Sequence, residues 1–183
     1  MDILLSCANL ESSSTKKVVL GGLFMALICV TTMFTRIPLP KGYFNLGDVF
    51  VMLSAVFLGK YYGFLVGGIG SAMADMLTAS YIYAPVTLII KGLEAFATAA
   101  VIGNEKGTGN NVKTVAAVSV GSFIMFTGYF IAEAFLFRLL DESFGVAVAM
   151  INVPANVLQG CLSGLVAFLL IKVLTKTNLI ATE

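Results

Sequence analysis

Asp48, Asp75, Lys91, Glu94 and Glu133 lie inside or at the ends of long apolar runs, and Asn152, Asn156 and Gln159 share one face of another. An ionised group at the centre of a bilayer costs about 2.5–3.5 kcal/mol on insertion scales. Five such groups are tolerable only where they face one another, water or a ligand. The pattern therefore calls for membrane helices wrapped around a polar interior.

The rest of the composition fits that demand. Of 183 residues, 58% are hydrophobic and 11% charged, with a mean hydropathy of +0.97. A soluble domain carries about 25% charge. A crossing helix needs about 20 apolar residues, so the length holds about six crossings with short loops and no soluble domain. A net charge of +1 gives nucleic acid no basic surface to bind. The chain has no histidine, which removes the commonest general base and metal ligand. Triad hydrolases, zincins and most metal sites are thereby disfavoured, and no metal or cofactor is expected. Cys7, Cys29 and Cys161 lack CxxC spacing and make no disulfide framework. Cys29 and Cys161 read as small buried thiols.

Gly, Pro, Asn and charged residues divide the chain into six candidate helices: Val18–Thr35, Leu46–Leu58, Tyr61–Ala79, Pro85–Gly103, Val115–Phe137 and Gly145–Leu174. The expectation is an all-α, integral membrane six-helix bundle over 16–176, with tails at 1–15 and 177–183. The second candidate is short, which predicts a tilted, partly buried or broken helix. Cytoplasmic loops carry an excess of Lys and Arg. With the N-terminus inside, Lys16, Lys17, Lys60, Lys106, Lys113, Lys172 and Lys176 are inner and Arg36, Lys41 and Arg138 outer. Both termini are therefore expected in the cytoplasm.

That orientation brings the polar groups to one depth. Asp48, Asp75 and Glu133 fall near outer helix ends. Lys91 and Asn152 fall about two turns in, about 10 Å at 1.5 Å per residue. Scattered structural ion pairs have no reason to agree on depth, so the expectation is a pocket opening outward. Lys91 and Glu94 are three apart and share a helix face; they read as a structural pair or as part of that pocket. Carboxylates outnumber the lysine, which suits a donor-rich or cationic guest. Asn152 and Asn156 offer both donors and acceptors, with Pro154 between them to open the backbone. Tyr43 and Phe44, in the outer loop 36–45, read either as a cover over a flat ring or as plain interfacial aromatics. Tyr81 and Tyr83 carry the same two readings.

Small residues recur every fourth position at Gly59, Gly63, Gly67 and Ser71, a spacing that lets helices approach closely. Gly22 and Ala26, and Gly160 and Gly164, make similar faces. Gly107-Thr-Gly-Asn-Asn-Val-Lys-Thr114 has the outline of a phosphate-binding loop, but Val112 replaces the required second glycine and no strand precedes it. It reads as a cytoplasmic turn.

Gly42-Tyr-Phe-Asn-Leu-Gly-Asp48, Gly67-Gly-Ile-Gly-Ser71-Ala-Met-Ala-Asp75, Tyr83-Ala-Pro85 and Ile89-Ile-Lys91-Gly-Leu-Glu94 occur in that order. Together they resemble the substrate-binding S component of energy-coupling-factor (ECF) vitamin transporters, most closely the hydroxymethylpyrimidine or pyridoxine branch. The resemblance implies a subunit of the bacterial cell membrane that captures a small vitamin from outside and delivers it by toppling. It also implies partners: a transmembrane coupling (T) subunit and two cytoplasmic ATPases. Gly22-Leu-Phe-Met-Ala26 corresponds to the motif that meets the coupling subunit, with Gly in place of the usual first Ala. The expected binding set is Tyr43, Asn45, Asp48, Asp75, Lys91, Glu94, Glu133, Asn152 and Asn156. A self-sufficient proton-coupled carrier using the same carboxylates is the alternative. An intramembrane enzyme is left only a carboxylate or Lys91 mechanism.

Overall fold

The computed structural model describes residues 2–39, 41–103 and 108–177, with side chains described from Thr15 onward. Five helices make up the bundle: α1 (Asp2–Phe34), α2 (Asp48–Leu77), α3 (Ala84–Ile102), α4 (Asn111–Ile131) and α5 (Val146–Lys176). By length and composition all five are candidate membrane spans, although α2 folds back on itself at Gly59. Their outward faces carry Leu23, Leu65, Phe123 and Leu165, all exposed, as lipid contact requires. The segment expected as an N-terminal tail is helical and continuous with α1. Of the expected C-terminal tail, residues 178–183 lie outside the described residues.

The expected second and third helices are the two halves of α2, which meet at the expected break, Gly59 (φ 76°, ψ −176°). Only glycine adopts that backbone region without strain. The two halves turn back on each other there. A Cβ on Gly63 would sit 3.0 Å from Ala55 Cα, and one on Gly67 3.1 Å from Val51 Cγ1. In a straight helix those pairs would stand about 12 and 24 Å apart. The fourfold glycine spacing thus serves close packing. Gly68 extends it, since a Cβ there would lie 2.4 Å from the Leu88 carbonyl oxygen of α3.

Two other helices keep regular polar-facing stripes. In α3, Thr87, Lys91, Glu94 and Thr98 are buried at spacings of three and four; in α5, Asn152, Asn156, Gln159 and Ser163 are. These spacings place each set on one helical face. α5 runs through Pro154 without a break. The far end of α4 tightens into a π-helical turn, Ala132–Leu136, and a 3₁₀ turn, Phe137–Leu139. Beyond the described start of the phosphate-loop lookalike, Asn110 caps α4 by accepting from Val112 N–H (2.9 Å) and Lys113 N–H (3.2 Å). Lys172 Nζ closes the same turn by donating to the Thr108 carbonyl at 3.1 Å.

The loop between α1 and α2 contains a short antiparallel pair, β1 (Ile37–Pro38) with β2 (Tyr43–Phe44). This strap does not lie flat across the bundle end. The Lys41 carbonyl accepts from Asn152 Nδ2 at 2.8 Å, and Asn45 N–H donates to Gln159 Oε1 at 2.9 Å. Asn152 and Gln159 are seven residues apart on α5, about 10 Å, so the strap descends that far into the bundle. This explains why the first half of α2 is short: its helix begins inside.

Candidate functional site

Beneath the strap, five elements bring polar side chains into one cleft. The second half of α2 supplies Asp75 and the turn before α3 supplies Tyr83. α3 itself gives Thr87, the end of α4 Tyr129 and Glu133, and α5 Asn156 and Gln159, with Tyr43 closing from the strap. The free space is about 20 Å³, the room of one water molecule.

The cleft is closed by directional contacts. Tyr43 Oη donates a short hydrogen bond to Asp75 Oδ1. Burial, and then the Asp75 carboxylate, push the Tyr43 phenol well above its ordinary value, so it stays a donor. The Arg36 guanidinium stacks on the Tyr43 ring at 4.1 Å and donates to the Thr78 carbonyl (3.1 Å) and Ser80 Oγ (2.7 Å). At the opposite edge Lys41 Nζ reaches Ser143 Oγ at 2.6 Å and Asp141 at 3.4 Å.

Glu133 is oriented by two donors: Tyr83 Oη at 3.3 Å and Asn152 Nδ2 at 3.0 Å. Burial, then the Glu133 charge, raise the Tyr83 phenol too. The π-helical turn keeps Ala132, Glu133 and Ala134 all buried, and such turns recur at functional sites. Asp75 Oδ2 in the cleft and Asn152 Oδ1 behind it have no hydrogen-bond partner among the described residues, nor do Glu94 Oε1, Thr127 Oγ1 and Ser163 Oγ elsewhere. Each unmet buried polar atom costs about 1–3 kcal/mol.

Below the cleft lies a second polar layer. Lys91 Nζ donates to Asp48 and, at 3.0 Å, to Glu94 Oε2. All three are essentially sealed from solvent, at 2%, 0% and 0% exposure. Gln159 joins this triad to the strap, donating from Nε2 to Asp48 Oδ2 at 2.8 Å while its Oε1 holds Asn45 N–H.

The nine expected residues therefore fall into three groups. Tyr43, Asp75, Glu133 and Asn156 line the cleft, with Asn152 behind Glu133. Asp48, Lys91 and Glu94 form the ion triad underneath and do not line it. Asn45 lines the cleft, but its Oδ1 caps the local turn at Gly47 N–H (2.9 Å). Of the ambiguous aromatics, Tyr83 is buried in the cleft and Tyr81 is exposed. Tyr129, Thr87 and Gln159 belong to the assembly although the sequence reading did not place them in the binding set. Tyr129 lies one turn before Glu133, and Thr87 one turn before Lys91, a spacing that would have found both. Cys29 is buried as expected; Cys161 is exposed, because its side of α5 faces outward. Gly22 and Ala26 sit on the exposed face of α1, with no atom within 4 Å of a Cβ on Gly22.

The family model described as ECF-type riboflavin transporter, S component, matches residues 12–176. An uncharacterised protein of the gap 3′ region of Pyrococcus woesei is 40% identical over 105 residues, covering 56% of this chain and 68% of that one.

Proposed function

Because the chain belongs to the ECF-type riboflavin transporter S component family, we propose that its cleft captures a small single-ring heteroaromatic vitamin or precursor, of the pyridoxine or hydroxymethylpyrimidine kind. The family makes it a multi-pass cell-membrane protein and the substrate-binding subunit of a transporter, not itself the ATPase. The observation that carries the substrate reading is the cleft itself. Aromatic phenols, carboxylates and amides converge there under a strap, with the buried Asp75 Oδ2 lacking a donor among the described residues. Ligand sites pair apolar walls with a few placed polar groups. Tyr43 and Tyr83 supply ring faces, Asp75 and Glu133 accept from ring substituents, and Asn156 offers both donor and acceptor.

Riboflavin, the substrate in the family's description, is the second reading. Both ligands need the strap to lift from α5, since the closed cleft holds the room of one water molecule; the single ring needs the smaller opening. The cleft faces outward in this account, supported by the Lys and Arg excess at the opposite end of the bundle. The exposed face around Gly22 and Ala26 docks the coupling subunit, which works with two ATPases. Toppling of the loaded chain then delivers the ligand inward. The test is uptake of labelled pyridoxine or hydroxymethylpyrimidine by cells expressing the chain with and without those partners. Binding by the chain alone, with uptake only in the full complex, is expected. Uptake by the lone chain would favour the proton-coupled carrier instead.

A further inference from the structure

Each cation near the cleft is committed elsewhere. Arg36 is held by Thr78 and Ser80, Lys41 by Asp141 and Ser143, and Lys91 by Asp48 and Glu94. Among the described residues the donors to Asp75 and Glu133 are all neutral: Tyr43, with Thr87 beside it, for the first, and Tyr83 and Asn152 for the second. Asp75 is fully buried, lines the cleft, and keeps Oδ2 unpartnered; Asn152, 1% exposed, keeps Oδ1 unpartnered. The triad below does not cancel this, because it sets two carboxylates against one lysine. Buried charge is tolerated when paired, and among the described residues neither carboxylate has a salt-bridge partner: Arg36 and Lys91 act on Asp75 only from a distance.

Resting on the proposed capture role, we infer that the site selects a ligand carrying a positive charge, an ammonium or protonated ring nitrogen placed between Asp75 and Glu133. The cation is the counter-charge these two carboxylates lack, and its N–H groups satisfy the idle Asp75 Oδ2, which lines the cleft. Anionic derivatives, above all phosphate esters, are rejected by the same carboxylates. The selectivity resides in Asp75 and Glu133; Tyr43, Tyr83 and Asn152 position them.

The test compares two probes that differ at one substituent. Pyridoxamine carries an ammonium where pyridoxine carries a hydroxyl, and both are titrated into the detergent-purified full chain near neutral pH. A charge-assisted hydrogen bond predicts pyridoxamine tighter by at least about tenfold. Asp75→Asn and, separately, Glu133→Gln should each shrink that ratio. The ratio is internally controlled, and the second variant serves if the first fails to fold. Pyridoxine binding as tightly as pyridoxamine, or pyridoxamine 5′-phosphate as tightly as either, overturns the charge selectivity and leaves the single-ring reading standing. Riboflavin binding with neither pyridine bound overturns both. Binding of none of these overturns the proposed function as well.

Discussion

Removing the buried lysine should cost more than any other single change at the centre of the bundle. Lys91→Met leaves Asp48 and Glu94 enclosed with no cation, while the apolar stem of the side chain is kept. Both carboxylates are at 0% exposure and Lys91 at 2%, so neither can recover hydration by a rotamer change. Breaking a buried pair by removing one partner costs about 3–5 kcal/mol. For a chain of this size each kcal/mol moves the melting temperature by about 2–4 °C, so the predicted loss is roughly 6–20 °C. The chain has no tryptophan, so the readout is the fraction of detergent-purified protein still monodisperse by gel filtration after heating. A combined Asp48→Asn, Lys91→Met and Glu94→Met variant should regain more than half of the loss, because it removes the stranded charges and leaves Gln159 an acceptor. A Lys91→Met shift under about 3 °C would refute the view that the triad holds the bundle.

Gly68→Ala should destabilise by about 1–3 kcal/mol, since its methyl would meet the Leu88 carbonyl oxygen at 2.4 Å; Gly22→Ala, with open space around it, serves as the control in the same heating assay. Gly59→Ala should cost about 1–3 kcal/mol through its backbone alone, as the site is sterically open. Glu133→Gln or Asn156→Ala should weaken ligand binding roughly tenfold to hundredfold with little change in melting temperature, and unchanged affinity in both would remove the site from this cleft. Hydrogen bonds from Ser143 hold the Asp141 carboxyl below its usual range. Its grip on Lys41 is therefore present above the ordinary carboxylate range and lost as pH falls through the lowered value. Spin labels at Leu39 and Glu142 should move apart only under that acid condition, and Ser143→Ala should shift the opening to higher pH.

Much of this was legible from residue type and spacing alone. Lys91 and Glu94 pair because three residues bring them to one face of α3, and the amide stripe of α5 follows the same rule. The partner of Lys91 was harder to see. Asp48 reads as a residue at an outer helix end until the strap's descent of about 10 Å along α5 is known, and that descent depends on hydrogen bonds between residues more than a hundred positions apart. The break at Gly59 was legible, since the second and third candidate helices stop on either side of it, but residue type alone did not show that its positive φ folds one half back on the other. The β1–β2 pair left no periodic signature because each strand is two residues long. Tyr129 looked like one more apolar-run aromatic, and only the cleft distinguishes its hydroxyl, 3.0 Å from Thr87 Oγ1.

The central claim is that this cleft holds a small heteroaromatic ligand, and native mass spectrometry of the detergent-purified protein tests it most directly. The prediction is one adduct per chain, released on denaturation with the mass of a pyridine or pyrimidine vitamin or precursor, and depleted in Glu133→Gln. A protein that carries nothing and binds no member of an added vitamin panel would contradict it, and the buried carboxylates would then stand as a proton path.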